Sequence, residues 1–453
     1  MTASTHRRYT GSILAAILLI SAFLPGQAKA SLEPSAHPLP GCTTFYGYDG
    51  QNALAGNNED LFNPLIYAWF IPASPGRFGR VYFGFDDFIP QGGLNDQGVF
   101  FDAEGLPYKA MPVTSQKPHF PGGDLGLVDE VLSRSASVQD VIDIVSRWNR
   151  PAGEYGQNLF GDRHGDSAII DGDTILRKRG PFQIATNFRL VDHPNPPWPQ
   201  GEERYGVVAD MLSQADHYTV DLFRQALDAA HQVGISPTLY SQVYELNTGT
   251  IHLYLYHDFQ HEVVLHLADE LAKGPHIVAL RSLFPENSDM NLWADEQINY
   301  WQASYEEMID PAIPPRSQAW MSGKYDVLQE PDSGPVKIYQ EKDQLYMQRP
   351  NQLPIELYPV GPDTVFHHFL NGFDLTFTFR RNLWGQATEA QGTFSYEPYN
   401  IAFPYALTRS GVLSYNTSLW ITVAGVVILL ILLGLLLFMI RTRRSANGAH
   451  NVK

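Results

Sequence analysis

The stretch from Leu419 to Ile440 carries no charged side chain and is dominated by Leu, Ile and Val, and it restricts this chain more than any other segment. About 20 consecutive apolar residues match the hydrocarbon thickness of a bilayer, where a helix satisfies its own backbone, so residues 419–440 are expected to form a transmembrane helix. Trp420 stands at one edge, and Arg441, Arg443 and Arg444 follow the other, where excess positive charge marks the cytoplasmic side. A buried core helix would not call for that basic cluster. At the opposite end His6, Arg7 and Arg8 precede an apolar run from Ile13 to Leu24, then Pro25 and Ala28-Lys29-Ala30. That is the build of a secretory signal peptide over residues 1–30, cut after Ala30. The expectation is a single-pass membrane protein with residues 31–418 outside the cytoplasm and a cytoplasmic tail at 441–453.

Composition narrows the classes further. The chain has 453 residues, 44% of them hydrophobic, which is enough for several domains with a large core. Asp plus Glu number 48 against 31 Lys plus Arg, a net charge of −17, so nucleic acid is not an expected partner. A single cysteine, Cys42, excludes an intrachain disulfide and a cysteine-ligated zinc site.

Residues 31–41 contain three prolines and little hydrophobicity, and they read as an unstructured leader ahead of Cys42. From 42 to about 300 strand-like and helix-like stretches alternate. Helical spacing is found over Leu125 to Leu132, Val138 to Trp148 and Thr219 to Ala230. Strand patterns run over Ser167 to Ile170, Leu239 to Leu246 and Thr250 to Tyr256, the last two forming a hairpin at Asn247-Thr248-Gly249. After a Pro-rich connector at Pro311 to Pro315, short strand candidates recur between Gly, Pro and Asp, which predicts a small all-β module over 317–404.

Chemistry concentrates around Cys42. The sequence from Cys42 to Asp60 reads as two strands joined at Asp49-Gly50, which places Asn57 opposite Cys42 and brings Asn57, Asn58 and Asp60 beside the thiol. If Cys42 begins the mature chain, its own α-amine, with a pKa near 8, is available as the base for its sulfur. Two preorganised amide donors, such as Asn95 and Asn187, would stabilise the oxyanion formed when an amide carbonyl is attacked. No cofactor is called for, and no metal. Asp162, His164 and Asp166 are spaced like ligands, but Gly161 and Gly165 beside them point to a turn.

Cys42-Thr43 with Gly56-Asn57-Asn58-Glu59-Asp60, then Gly93 to Val99, Gly165 to Asp171 and Ala185-Thr186-Asn187-Phe188, together resemble the choloylglycine hydrolase and penicillin V acylase family and its isopenicillin N acyltransferase relatives. These are N-terminal nucleophile hydrolases that cut linear amide bonds, and the resemblance covers about Cys42 to Leu283. It implies an α+β fold, an αββα four-layer sandwich, here followed by the all-β module and the transmembrane helix. It also implies Cys42 as nucleophile, Asp60 as the holder of its α-amine, Asn95 and Asn187 as oxyanion donors, and Arg204 near the cysteine. Asn57 stands where the family usually carries arginine, which removes a cation from beside the sulfur.

The function so implied is that of a membrane-anchored, extracytoplasmic amidohydrolase that cleaves a small-molecule N-acyl amide through a thioester. The alternatives are an acyltransferase using an amine acceptor, a non-catalytic surface binding protein on a hydrolase-like scaffold, and a protein lipidated at Cys42 after Leu39-Pro40-Gly41. Protease added to intact cells is expected to digest the ectodomain and spare a tag placed after Lys453. Loss of that tag would invert the topology.

Overall fold

The computed structural model describes residues 41–428, apart from 112–115, 121–122, 200–201, 235, 309–314, 329–334, 351, 371–372, 397–400, 410, 413–416, 420, 425, 427. The signal segment, all of the leader except Gly41, and most of the 419–440 segment lie outside the described residues. Among the described residues no helix is long and apolar enough to cross a membrane.

The chain opens with a hairpin of β1 (Thr43–Tyr48) and β2 (Ala53–Asp60). Its connection has four residues, because Asp49 Oδ1 accepts from the backbone N–H groups of Gln51 (2.9 Å) and Asn52 (2.8 Å), and Gly50 takes a positive φ of 95°. Thr43 therefore pairs with Asn58 and Tyr48 with Ala53. Cys42 falls level with Glu59 rather than with Asn57, a two-residue correction to the expected register. An even shift leaves every side chain on its expected face.

Strands β3 (Ile66–Ile71), β4 (Arg80–Phe85), β5 (Pro90–Asn95), β6 (Val99–Gly105), β7 (Gly156–Asp162), β8 (Ser167–Asp171) and β9 (Thr174–Arg177) follow. Strand β10 (Phe182–Ala185) returns to the first hairpin, and β11 (Thr238–Glu245), β12 (Thr250–Leu255), β13 (Asp258–His266) and β14 (His276–Ala279) complete two sheets. The first has six strands in the order β10-β1-β2-β11-β12-β13, and the second eight in the order β14-β3-β4-β5-β6-β7-β8-β9. Tyr46, Ala53, Ala55, Tyr240 and Tyr244 of the first sheet pack against Phe83, Leu94 and Phe100 of the second.

Helices cover the outer faces. Helices α1 (Gly123–Arg134) and α2 (Val138–Val145) bury Leu127, Val131 and Val141 against Phe101 and Phe160 of the second sheet. Ser137 starts α2 by accepting from the Asp140 N–H at 3.2 Å. Helices α3 (Glu203–Ser213) and α4 (Val220–Ala230) bury Val208, Phe223 and Leu227 against Phe45, Leu54 and Val243 of the first sheet. The result is a mixed α/β sandwich of four layers, helix–sheet–sheet–helix.

A short α5 (Leu267–Ala272) and a long α6 (Ser288–Met308) lead out of the sandwich, so the boundary expected at 300 falls inside a helix. Beyond it, eight antiparallel strands from β15 (Gly323–Val327) to β22 (Ile401–Arg409) form a closed barrel. Closure requires Tyr325 to pair with Arg409, which carries the module past the expected end at 404. Its interior holds Tyr325, Ile338, Leu357 and Phe377. A cleft of about 270 Å³, lined by Tyr67, Asp86, Phe88, Ile298, Glu356 and His367, lies where sandwich and barrel meet.

Candidate active site

The registers bring distant residues to one level. Continuing the β1–β2 pairing sets Cys42 beside Glu59 and Gly41 beside Asp60. Continuing the β1–β10 pairing, in which Thr44 faces Ala185, sets Asn187 beside Cys42 on the other flank. Thr238 and Tyr240 of β11 pair with Asp60 and Glu59 across a β-bulge. Because side chains alternate along a strand, Asp60 faces the helices and Glu59 faces the second sheet.

On the helix side a buried polar cluster surrounds the Gly41–Cys42 peptide. The Gly41 carbonyl accepts from Gln232 Nε2 at 2.8 Å and from Arg204 Nη1. Arg204 Nη1 also donates to the Cys42 carbonyl and to Asp60 Oδ2, each at 3.2 Å, and its Nη2 donates to Asn187 Oδ1 at 2.9 Å. Asn187 Nδ2 donates to the Gly105 carbonyl at 2.8 Å. Asp60 accepts from Gln232 Nε2 at 2.5 Å and from the Thr238 hydroxyl, so one carboxylate orients both groups that hold the Gly41 oxygen. Burial pushes the Asp60 carboxyl up to about 7, while Thr238, Arg204 and Gln232 pull it down. Gly41 is required here, because a Cβ would sit 1.8 Å from Asn187 Oδ1.

On the sheet side, Cys42 Sγ donates to Glu59 Oε1 at 3.3 Å. Thr44 donates to Asn57 Oδ1 (3.2 Å) and to Asp102 Oδ1 (3.1 Å), bridging the two sheets. Glu59, Asp102 and Glu104 are each no more than 2% exposed. Burial pushes all three carboxyls well above the carboxylate range, with Asp60 adding to the rise at Glu59, Glu59 and Glu104 to that at Asp102, and Glu59 to that at Glu104. The Cys42 thiol is raised as well, by burial first and then by Glu59, Asp60 and Asp102, against the Asp60 backbone N–H, which favours the thiolate. A buried thiol among carboxyls is not a standing nucleophile. It needs a base to take its proton.

Cys42, Asp60, Asn187 and Arg204 are thus brought together, and Asn95 is not. Asn95 Nδ2 donates to the Leu132 (2.7 Å) and Ser135 (2.8 Å) carbonyls, and its Oδ1 accepts from the Gln97 and Val99 N–H groups. All its polar capacity is used in the β5–β6 turn. That turn lies against Leu246, which bonds to Ala53 beside the tip of the first hairpin. The seven residues of β6, about 20 Å, separate it from Gly105 and Asn187. Asp162 likewise organises a turn, accepting from the His164 (2.9 Å) and Asp166 (3.1 Å) N–H groups.

Glu59, Asp102, Glu104 and Gln232 are absent from the expectation. Three were legible, since two-residue alternation from Cys42 puts Glu59 inward, and Val99 to Gly105 places Asp102 and Glu104 on the same face as core Phe100. Gln232 follows α4 in a loop, and only the fold brings it to Gly41.

No family model matches this chain, and no curated protein matches it. Among solved structures it is similar to penicillin V acylase from Agrobacterium tumefaciens, at 12% identity and a TM-score of 0.40, over 49% of this chain and 84% of that one. It is also similar to two variants of conjugated bile acid hydrolase from Clostridium perfringens, at 14% and 15% identity with TM-scores of 0.39. Those matches cover 52% of this chain and 95% and 96% of the other.

The buried acids fix the sign of a pH dependence. Asp60 has a folded pKa of about 7 against a usual value near 3.9, so its contribution to stability is full below about pH 4 and is lost as pH rises through 7. Glu59, Asp102 and Glu104 shift in the same direction. Denaturant midpoints are expected to fall between pH 5 and 8, by at most about 1.4 kcal/mol per pH unit for each group. The Glu59→Gln/Glu104→Gln protein should show a flatter profile. A wild-type midpoint that rises over this range would contradict the assignment.

Proposed function

We propose that this chain is a hydrolase of linear amide bonds whose nucleophile is Cys42, freed as the first residue of the mature chain. One observation carries the reading: the Gly41 carbonyl, immediately before the only cysteine, is held by Arg204 and Gln232, and Asp60 orients both. Donors fixed on a carbonyl oxygen are where negative charge develops when the carbon is attacked.

Maturation then begins with attack of Cys42 sulfur on the Gly41 carbonyl carbon. The thiol proton goes to the departing amine, the Gly41–Cys42 amide breaks and a thioester forms. Water hydrolyses the thioester and releases Gly41 as a carboxylate, leaving Cys42 with a free α-amine. In each later turnover the α-amine accepts the thiol proton, Asp60 stabilises the resulting ammonium, and sulfur attacks the substrate carbonyl. The oxygen of that carbonyl takes the place vacated by Gly41, beside Arg204, Gln232 and Asn187. The amine product leaves with the proton, and water resolves the acyl-enzyme. Asn95 has no part in this scheme.

Export by the 1–30 segment, loss of the 31–41 leader and anchoring by the 419–440 helix complete the proposal, and they rest on the sequence patterns alone. The substrates would be small N-acyl amides met outside the cytoplasm.

The test is a panel of N-acyl amides presented to the full chain in detergent. Wild type should release amine from at least one member, and Cys42→Ala from none. Asp60→Asn should lower kcat by about 10²-fold or more with little change in KM, because Asp60 acts on the nucleophile's base and not on bound substrate. Undiminished turnover in a folded Cys42→Ala protein would overturn the reading.

A further inference from the structure

On the inner face of the first sheet, next to the sulfur, acidic groups accumulate without a counterion. Glu59 comes from β2, and Asp102 and Glu104 reach toward it from β6 of the facing sheet. Glu59 Oε2, Asp102 Oδ2 and both carboxyl oxygens of Glu104 lack a close hydrogen-bond partner, and the neutral groups nearest to them are Asn57 and Tyr240 at Glu59 and Thr44 at Glu104. Among the described residues no Lys, Arg or His side chain pairs with any of the three. Arg204 is committed to the opposite face, where Asp60 and Glu202 hold it.

A second kind of orphan points into the same space. Gln242, fully buried, pairs across strands with Asn57, and both ends of its side-chain amide are unpartnered. The Tyr244 hydroxyl on the same face of β11 has no partner either, while the Tyr240 hydroxyl lies against Glu59, and both feel the charges of Glu59 and Asp102. The second sheet makes room for this cluster. At Gly92, opposite Asp102, a Cβ would lie 2.2 Å from Asp102 Oδ2. Buried acceptors left unpaired cost about 1–3 kcal/mol each, so this concentration marks groups that something else is meant to meet.

We propose that this inner-face cluster binds an ammonium group, and that the amide substrate carries one within a few bonds of its reacting carbonyl. The proposal rests on the amidase reading for the second clause only. An ammonium offers three donors and a full charge, and the carboxyl oxygens of Glu59, Asp102 and Glu104 and the Gln242 amide oxygen are there to accept them. Contact of Glu59 with the thiol places the cation beside the reaction centre, so it would travel on the substrate.

Cation binding should also move protons. The groups that face the cluster are the Cys42 thiol ahead of β1, Glu59 of β2, Asp102 and Glu104 of β6, and Tyr240 and Tyr244 of β11. Burial raises all of them and so favours their neutral forms, an ammonium beside them favours the charged forms, and its binding should therefore expel protons.

The test uses the full chain matured to Cys42, its thiol capped as the methyl disulfide so that it cannot turn over, in detergent and titrated by calorimetry with two probe pairs. N-acetyl-1,4-diaminobutane is compared with neutral N-pentylacetamide, and 5-aminopentanamide with neutral hexanamide. In at least one pair the ammonium probe should bind tenfold or more tighter, and titrations in buffers of different ionisation enthalpy should report proton release. Asp102→Asn/Glu104→Gln on the same background, folded by circular dichroism, should bring the ratio close to one. Equal or better binding of the neutral members, no binding of either, or a preference that survives the double substitution overturns the proposal. If that variant does not fold, the single Asp102→Asn protein is read in the same way. Turnover of neutral amides by wild type without an ammonium preference would sink this inference and leave the amidase reading. An ammonium preference with no amide hydrolysed would do the reverse.

Discussion

Asp60 is the residue on which the geometry around Cys42 depends. Buried on the helix-facing side of β2, it accepts from Thr238, Gln232 and Arg204 at once, and through the last two it reaches the Gly41 carbonyl. Thr238 belongs to a neighbouring strand, Gln232 to the segment after α4 and Arg204 to the first turn of α3, so one carboxylate ties two helices and two strands to a single peptide bond. Removing one partner from such a buried network strands the others. The cost of burying the acid is visible in its raised pKa, and the donors around it offset that cost.

A strand has two faces, and this site uses both. Arg204 and Gln232 gather on the helix side, where they engage the backbone at 41–42 and suit an oxygen that becomes negative, and Asn187 links Arg204 to the Gly105 carbonyl of the facing sheet. Glu59, Asp102 and Glu104 gather between the sheets, where Glu59 meets the thiol and the three together suit a cation. Toward the hairpin tip the same inter-sheet layer is apolar, filled by Tyr46, Ala53, Ala55 and Phe100. The layer changes from oil to acid along the length of one strand, and Cys42 stands at the acidic end.

Much of this was written in the sequence. The β1–β2 hairpin, the helices at 123–134, 138–145 and 220–230, and the β11–β12 hairpin follow from periodicity and turn residues, and the polar run Asn57-Asn58-Glu59-Asp60 marks the end of β2. Where the sequence misled, the causes are local. Asp49 closes a four-residue loop with its own carboxylate, which no Asp-Gly signal distinguishes from a two-residue turn. Asn95 carries a promising motif, yet the carbonyls of Leu132 and Ser135 claim its amide, and only packing of α1 on the second sheet reveals that. Gln232 and the barrel's closure through Arg409 depend on contacts between residues far apart in the chain.

The central claim is that the Gly41–Cys42 bond is a reactive element of the fold, and the mass of the active chain tests it most directly. Intact-mass and N-terminal peptide analysis of protein purified from membranes should find Cys42 as the first residue in wild type. The Cys42→Ala chain, made the same way, should retain Gly41 and the residues before it. A wild-type chain that hydrolyses amides while still carrying Gly41 ahead of Cys42 would contradict the account.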